Sequence, residues 1–287
     1  MTVYYGYRLA SIVVPRVPRP VGYWLADRLG DLSFRFNRRA RAAVCDNLRH
    51  VLGNGARSLA PVARRTFRHQ ARNYVDLFRA PALDGPVLEA LIDIDGWEHL
   101  EAARASGRGV ILVSGHFGNV DLVLNLLSLR GLRITVVTEH LKPERLYQLV
   151  SALRARAGTH IVPVDQSLKP VVKALQAGQC VVLAADRTVT GTGGIYEFFG
   201  APARLPDGYA ALARRTGALI LVGFCRRTRD RRFHLVGYPP FGVPKTHDRD
   251  ADVRRAVARV LDIFEVTIRA HPDQWVVFER VWQEPDA

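Results

Sequence analysis

The chain has 287 residues, of which 48% are hydrophobic and 24% charged, and it carries a net charge of +14. That length and composition provide for a sizeable core in one large domain or two small ones, and exclude global disorder. The surplus of cations calls for an anionic partner, such as a nucleic acid, an anionic lipid or a phosphorylated substrate.

The charge is concentrated at the start. Residues 1–72 hold fourteen Arg, no Lys and three acids (Asp27, Asp31, Asp46), a net charge of +11. Segments 3–14 and 20–36 read as helices that interleave Tyr4, Tyr5, Tyr7, Trp24, Phe34 and Phe36 with Arg8, Arg28 and Arg35. Trp24, Leu25, Leu29 and Leu32 recur at helical spacing, with Pro15, Pro18 and Pro20 breaking the chain before them. Two arrangements fit: a helix packed on the body with a solvated basic face, or a helix lying in a lipid headgroup layer. The aromatic content and the proline break favour the second. Segments 38–51 and 58–80 continue as helices. No stretch of about 18 apolar residues reads as a membrane span, and the first 14 residues lack the layout of a signal peptide.

From about residue 90 the pattern alternates. Apolar runs 110–113, 134–137, 161–164, 181–184 and 219–224 read as buried strands, with helical stretches near 118–130, 143–157, 167–177 and 207–216 between them. This predicts an α/β fold with a central, mostly parallel sheet flanked by helices. Residues 231–238 read as a further edge strand, and a long helix occupies about 249–270. One domain is expected over 1–287, with residues 1–80 as a membrane-associating helical region and 90–287 as the catalytic body. Cys45, Cys180 and Cys225 form no CxxC or Cys/His cluster, so neither a disulfide framework nor a metal site is expected, and a reducing, cytosolic setting fits.

The chemistry is centred on Ser114-Gly115-His116-Phe117-Gly118-Asn119, the turn between a strand and a helix. His116 therefore lies at the carboxyl end of a parallel strand, where α/β sheets place their ligands. Asp121, five residues on, is placed either to polarise the helix start or to fix the imidazole tautomer. A second cluster is Asp186-Arg187, at the end of the 181–184 strand, with Glu197, Arg204 and Asp207 beyond it. Arg187 suits a phosphate or a lipid headgroup, and Glu197, beside Phe198 and Phe199, is a second acid for His116; surface ion pairs and a loop acid are the plainer readings. Asp207 is placed to cap a helix starting at Gly208. A third cluster runs from His271 to Trp275, where His271 is equally a helix cap and Trp275 equally a core residue. No Gly-x-Ser-x-Gly elbow is present, so covalent catalysis by Ser has no comparable candidate.

Taken in this order, the three clusters resemble the bacterial lysophospholipid and lipid A late acyltransferase family. Within it the actinobacterial phosphatidylinositol mannoside acyltransferases are most similar. The family's His-x4-Asp/Glu motif falls on His116 and Asp121, its strand-end acid and basic residue on Asp186-Arg187, its acid-Phe-Phe-Gly stretch on Glu197 to Gly200, and its late His-Pro-x-Gln-Trp motif on His271 to Trp275. The resemblance spans roughly residues 5–283. After the late motif, lipid A enzymes continue with further Trp, Arg and aromatic residues, whereas this chain has the looser Val276–Trp282. That argues against a lipid A acceptor and leaves the chemistry unaffected.

The resemblance implies acyl transfer from a thioester (acyl-CoA or acyl carrier protein, a co-substrate rather than a cofactor) to a hydroxyl of a membrane glycolipid. His116 is then the general base, an imidazole with an ordinary pKa of about 6.5 suiting that task near neutrality. Asp121 and Glu197 compete to orient it, the family favouring Glu197, and Asp186, Arg187, Arg204, His271 and Trp275 are expected to bind substrate. The backbone amides of the 115–118 turn are the expected oxyanion donors, and the Leu/Val-rich helix 122–129 the expected lining of an acyl tunnel. The expected partners are acyl-CoA, the glycolipid acceptor and an anionic membrane surface, at the cytoplasmic face as a peripheral protein. No nucleic-acid reading element is found, and no oligomeric state is implied. A lipid A-type enzyme using acyl carrier protein is the alternative.

Overall fold

The N-terminal Arg-rich segments form four helices: α1 (Thr2–Val13), α2 (Arg19–Phe36), α3 (Arg38–Leu52) and α4 (Ala60–Arg79). The computed structural model describes residues 2–53, 58–155, 159–166, 168–189 and 191–282. Helix α2 packs along α4 through Gly22, Tyr23, Ala26 and Gly30, a stripe of small residues broken only by the tyrosine. At Gly30 a Cβ would come within 2.8 Å of the Arg68 backbone, so only glycine permits this approach. Asp27 and Asp31 face Arg72 and the pair Arg64/Arg68 across the same seam, each through 2.6–2.7 Å bonds. The expected apolar stripe of Trp24, Leu25, Leu29 and Leu32 lies on the opposite face, exposed, and Val3, Leu9, Ile12 and Phe36 are exposed with it.

After a short helix α5 (Gly85–Leu91) the chain alternates strand and helix: β1 (Ile92–Asp95), α6 (Trp97–Ala105), β2 (Val110–Ser114), α7 (Val120–Leu129), β3 (Ile134–Thr138), α8 (Glu144–Arg154), β4 (Thr159–Pro163), α9 (Lys169–Gln176) and β5 (Cys180–Ala184). A hairpin, β6 (Gly194–Phe198) and β7 (Ala201–Leu205), precedes α10 (Gly208–Thr216), β8 (Leu219–Arg227), β9 (Phe233–Gly237), the short β10 (Phe241–Gly242) and the long α11 (Arg249–Ala270). The main sheet runs β1-β9-β8-β2-β5-β3-β4, with β10 added to β8. It is parallel except where β8 meets β9 and β10.

This is the expected α/β architecture. Strand β9 differs from expectation in being interior, because β1, too short and polar to read as a strand, pairs outside it. Glu197, whose plainer reading is a loop acid, lies instead on a strand of the 194–205 hairpin. The central strands are Val/Ile/Leu-rich and bury both faces. Ile111, Val113, Val181, Ile220 and Val222 face α10 and α11, while Val110, Val182 and Leu221 face α6 and α7. Side-chain caps start several helices: Asn119 on α7, Asp248 on α11 and Asp84 on α5 each accept from a first-turn amide. Among the described residues no helix is long and apolar enough to cross a membrane.

Candidate active site

Strands β2 and β5 are parallel neighbours in a register that sets Ser114 beside Ala184. Two residues further along each chain, the same register sets His116 beside Asp186. The imidazole Nδ1 lies 2.8 Å from Asp186 Oδ1, and the His116 amide donates to Oδ2 at 2.7 Å. The Trp275 indole donates to that same Oδ2 at 2.8 Å. Asp186 is fully buried, 0% exposed. Burial alone would raise its carboxyl pKa, but the charge and ring hydrogen bond of His116, with the bonds from Trp275 and the His116 amide, outweigh it and hold the group below the usual carboxylate range. An ionised Asp186 accepts the Nδ1 proton, which leaves Nε2 free as the basic nitrogen. The His116 side chain is 35% exposed.

The turn itself is tied down on every side. The Phe117 amide donates to Gly115 O, the Gly118 amide to Gln274 O and the Asn119 amide to Cys225 O, while the Val276 amide donates to His116 O at 2.7 Å. Gly118 has φ +57°, and a Cβ there would fall 1.7 Å from Cys225 O. The residue must therefore be glycine. The amides of residues 116–118 already have acceptors within the protein. Of the expected oxyanion donors in the 115–118 turn, these three are already committed.

Several expected roles change with this geometry. Asp121 does not reach His116; it accepts from Arg154 Nε at 2.7 Å, because the first turn of α7 points it at α8. Glu197 is exposed on β6 of the hairpin and makes no bond to the imidazole. Asp186, expected to bind substrate, is buried beneath His116 and bonded to its ring and its backbone amide. Trp275 is also buried, packed with Phe198, Phe199 and Trp282, with its indole bonded to Asp186. Arg204 braces the hairpin through Gly193 O, and His271 occupies the C-cap of α11. Asp207 sits at the N-cap position of α10 but accepts from the Tyr196 hydroxyl. Arg187 is half-buried beside the site, bonded to Glu139 at 2.6 Å and Glu279 at 3.1 Å.

Sequence reasoning missed a polar cluster behind the turn: the buried Tyr23, Asp76, Arg227 and Gln274 with the half-buried Asn73. The signal for Gln274 was its place within the late motif; the others carried none. An apolar cavity also opens beside the turn, with about 640 Å³ of empty space that includes its solvent-facing mouth. Ser114 and Val120, either side of the turn, line it, together with Val123, Leu124 and Leu127 of α7 and Leu100 of α6. Among the described residues no group of three His, Cys, Asp or Glu side chains is placed to hold a metal ion.

Residues 2–284 match the family of bacterial lipid A biosynthesis acyltransferases. The chain belongs to that family. Its relatives include a phosphatidylinositol mannoside acyltransferase of Mycobacterium tuberculosis, 32% identical over 82% of this chain and 75% of the relative. They also include the lipid A biosynthesis palmitoleoyltransferase of Escherichia coli, 23% identical over 92% of this chain and 86% of that one. A crystal structure of the 1-acyl-sn-glycerophosphate acyltransferase PlsC from Thermotoga maritima overlaps 86% of this chain and 98% of that one, at 17% identity and a TM-score of 0.40. The protein is thus an acyltransferase of the lipid A and phosphatidylinositol mannoside type, acting between an acyl donor and a lipid acceptor.

Proposed function

We propose that this acyltransferase moves a fatty acyl chain from an acyl thioester to a hydroxyl of phosphatidylinositol mannoside, with His116 as general base. The observation that carries the reading is the His116–Asp186 pair at the adjoining carboxyl ends of β2 and β5. With Nδ1–H held by Asp186, Nε2 takes the proton of the acceptor hydroxyl as its oxygen attacks the thioester carbonyl. The tetrahedral adduct then expels the thiolate, and the imidazolium returns the proton to that sulfur. A thioester is already activated, so no enzyme-bound acyl intermediate is required. Asp186 stabilises the transient imidazolium without itself becoming protonated.

The cavity beneath α7 is the proposed seat of the acyl chain, which would place the thioester carbon at its mouth beside His116. The acceptor assignment rests on the named activity of the mycobacterial relatives, and acyl-CoA is the proposed donor. The exposed apolar face of α1 and α2, flanked by Arg8, Arg28 and Arg35, is proposed to rest on an anionic membrane, the protein being peripheral at its cytoplasmic face.

The decisive experiment incubates the purified chain with palmitoyl-CoA and vesicles containing phosphatidylinositol mannoside, read by mass spectrometry of the lipid. The expected result is one added acyl group, reduced by about three orders of magnitude in a folded His116→Ala variant. Full turnover in that variant would end the base assignment. Acylation of lipid A in place of the mannoside, with an acyl carrier protein as donor, would reassign acceptor and donor and keep the chemistry.

A further inference from the structure

Two side chains of α4, Asn73 and Asp76, reach the catalytic turn from the N-terminal helical layer. Asn73 Nδ2 donates to Gly118 O at 2.5 Å. Asp76 Oδ2 accepts from Asn119 Nδ2 at 2.9 Å, and Asn119 Oδ1 in turn caps α7. Both α4 side chains are tied to Arg227 at the end of β8: its Nη2 donates to Asp76 Oδ2 at 2.7 Å and to Asn73 Oδ1 at 3.0 Å. The Tyr23 hydroxyl of α2 donates to Asp76 Oδ1 at 2.6 Å and accepts from Arg227 Nη1. The Gln274 side-chain amide closes the cluster by pairing with the Arg227 backbone in both directions, at 2.6 and 2.8 Å.

The ends of this cluster are what give it meaning. Gly118 and Asn119 are buried, two and three residues past His116. Their amides are fixed by Gln274 O and Cys225 O, and Gly118 has no room for a Cβ. From the remaining side, Asn73 fixes the Gly118 carbonyl and Asp76 fixes the Asn119 side chain. A buried ion pair is a costly way to fasten a helix, since apolar side chains of the same volume do so as well or better; what it adds is a defined direction for each group it bonds. Here those directions converge on the peptide that sets the path of the chain from β2 into α7, and so the angle at which His116 meets Asp186.

We infer that Asn73 and Asp76 are positioning residues for the acyl-transfer reaction, holding the Gly118–Asn119 peptide so that the His116 imidazole stays aligned on Asp186. Neither touches substrate. The inference rests on His116 being the base, so its test needs a readout other than turnover.

The full chain is compared with its Asn73→Ala and Asp76→Asn variants in two measurements. The first is steady-state transfer from palmitoyl-CoA to vesicles of phosphatidylinositol mannoside. The second is the ring spectrum of His116 in protein labelled with ¹⁵N-histidine, assigned through its loss in His116→Ala. The expected result is a kcat lowered at least about tenfold, with KM for palmitoyl-CoA held within about twofold, and a His116 Nδ1–H signal that shifts or broadens as its bond to Asp186 loosens. A wild-type kcat, a loss confined to KM, or an unchanged imidazole signal would overturn the inference, whatever the melting temperature. Where Asp76→Asn does not fold, because Arg227 is left with a buried charge, Asn73→Ala removes no charge and decides alone. Full turnover in His116→Ala would mark the failure of the base reading, and the ring spectrum would still report whether α4 positions the imidazole.

Discussion

At the scale of single residues, the site separates three acids, of which the sequence offers Asp121 and Glu197 as partners of His116 and Asp186 as a substrate ligand. Only Asp186 touches the imidazole; Asp121 is neutralised by Arg154, and Glu197 stands in solvent on the hairpin. Asp186→Asn keeps the shape of the carboxylate and removes its charge, so it presents an amide to His116 Nδ1 and favours the wrong tautomer. We expect kcat to fall by about 10²–10⁴, in line with the loss seen when an orienting aspartate is amidated. Glu197→Gln should leave kcat within about threefold. Steady-state acyl transfer by the two variants, side by side, checks the ranking, and a larger loss in the glutamine variant would reverse it. Asp186 is legible in the sequence as a strand-end acid. Its partner is not, because that depends on which strand lies next to β2, and β3 and β4 intervene in the chain between β2 and β5.

At the scale of elements, α4 carries a largely buried histidine. His69 is held between Asp273, Arg72, Asp27 and Arg227, and its imidazole pKa is pushed down to about 4, chiefly by burial. It is therefore neutral in the folded protein at pH values where the unfolded chain, with a pKa of about 6.5, already takes up a proton. As pH falls from about 6.5 to 4 the unfolded state binds more protons than the native state, so stability declines, by at most about 1.4 kcal/mol per pH unit. Urea unfolding at pH 7.5 and pH 5 should show that decline, and His69→Gln should flatten it. A variant with the full wild-type slope would assign the effect to other groups.

Helix α2 supplies a second prediction at this scale. Its two faces have opposite tasks: Gly22, Tyr23, Ala26 and Gly30 meet α4, while Trp24, Leu25, Leu29 and Leu32 face outward. Removing residues 1–36 would strip α4 of its cover and break the Tyr23–Asp76 bond, confusing anchoring with folding. Paired Trp24→Glu and Leu29→Glu substitutions avoid that, since both side chains are exposed. Each inserted apolar side chain contributes about 1.5–3 kcal/mol, so vesicle binding should weaken more than tenfold, with the melting temperature little changed. Sedimentation with anionic vesicles measures it, and undiminished binding would reject this face as the anchor.

At the scale of the whole molecule, charge and apolar surface fall in the same place. The first 72 residues carry +11 of the net charge, and α1 and α2 within them carry the exposed aromatic and aliphatic side chains. A membrane contact made by both should respond to salt in part. The Debye length shrinks from about 10 Å at 0.1 M to about 3 Å at 1 M, which removes the electrostatic share and leaves the apolar share. Binding to anionic vesicles should therefore fall on adding salt without vanishing, and the Trp24→Glu/Leu29→Glu variant should lose most of what remains. Binding that vanished at high salt in the wild type would make the attachment purely electrostatic.

The same scale shows what the one-dimensional sequence determined. The alternation of apolar runs with amphipathic segments specified an α/β sheet, because period and β-branching are local properties of the chain. The Gly-flanked turn placed His116 at a strand end for the same local reason, and the outward stripe of α2 was visible as a 3.6-residue repeat. Three things only the tertiary structure decided. The pairing of β2 with β5 chose Asp186 over Asp121 and Glu197. The packing of α2 on α4 chose which stripe of α2 faces out. The convergence of α2, α4, β8 and the 272–277 segment assembled Tyr23, Asn73, Asp76, Arg227 and Gln274 behind the turn. Each of these rests on contacts between residues far apart in the chain, which no local pattern encodes, and the bond from His116 to Asp186, 70 positions away, is the one on which the proposed chemistry depends.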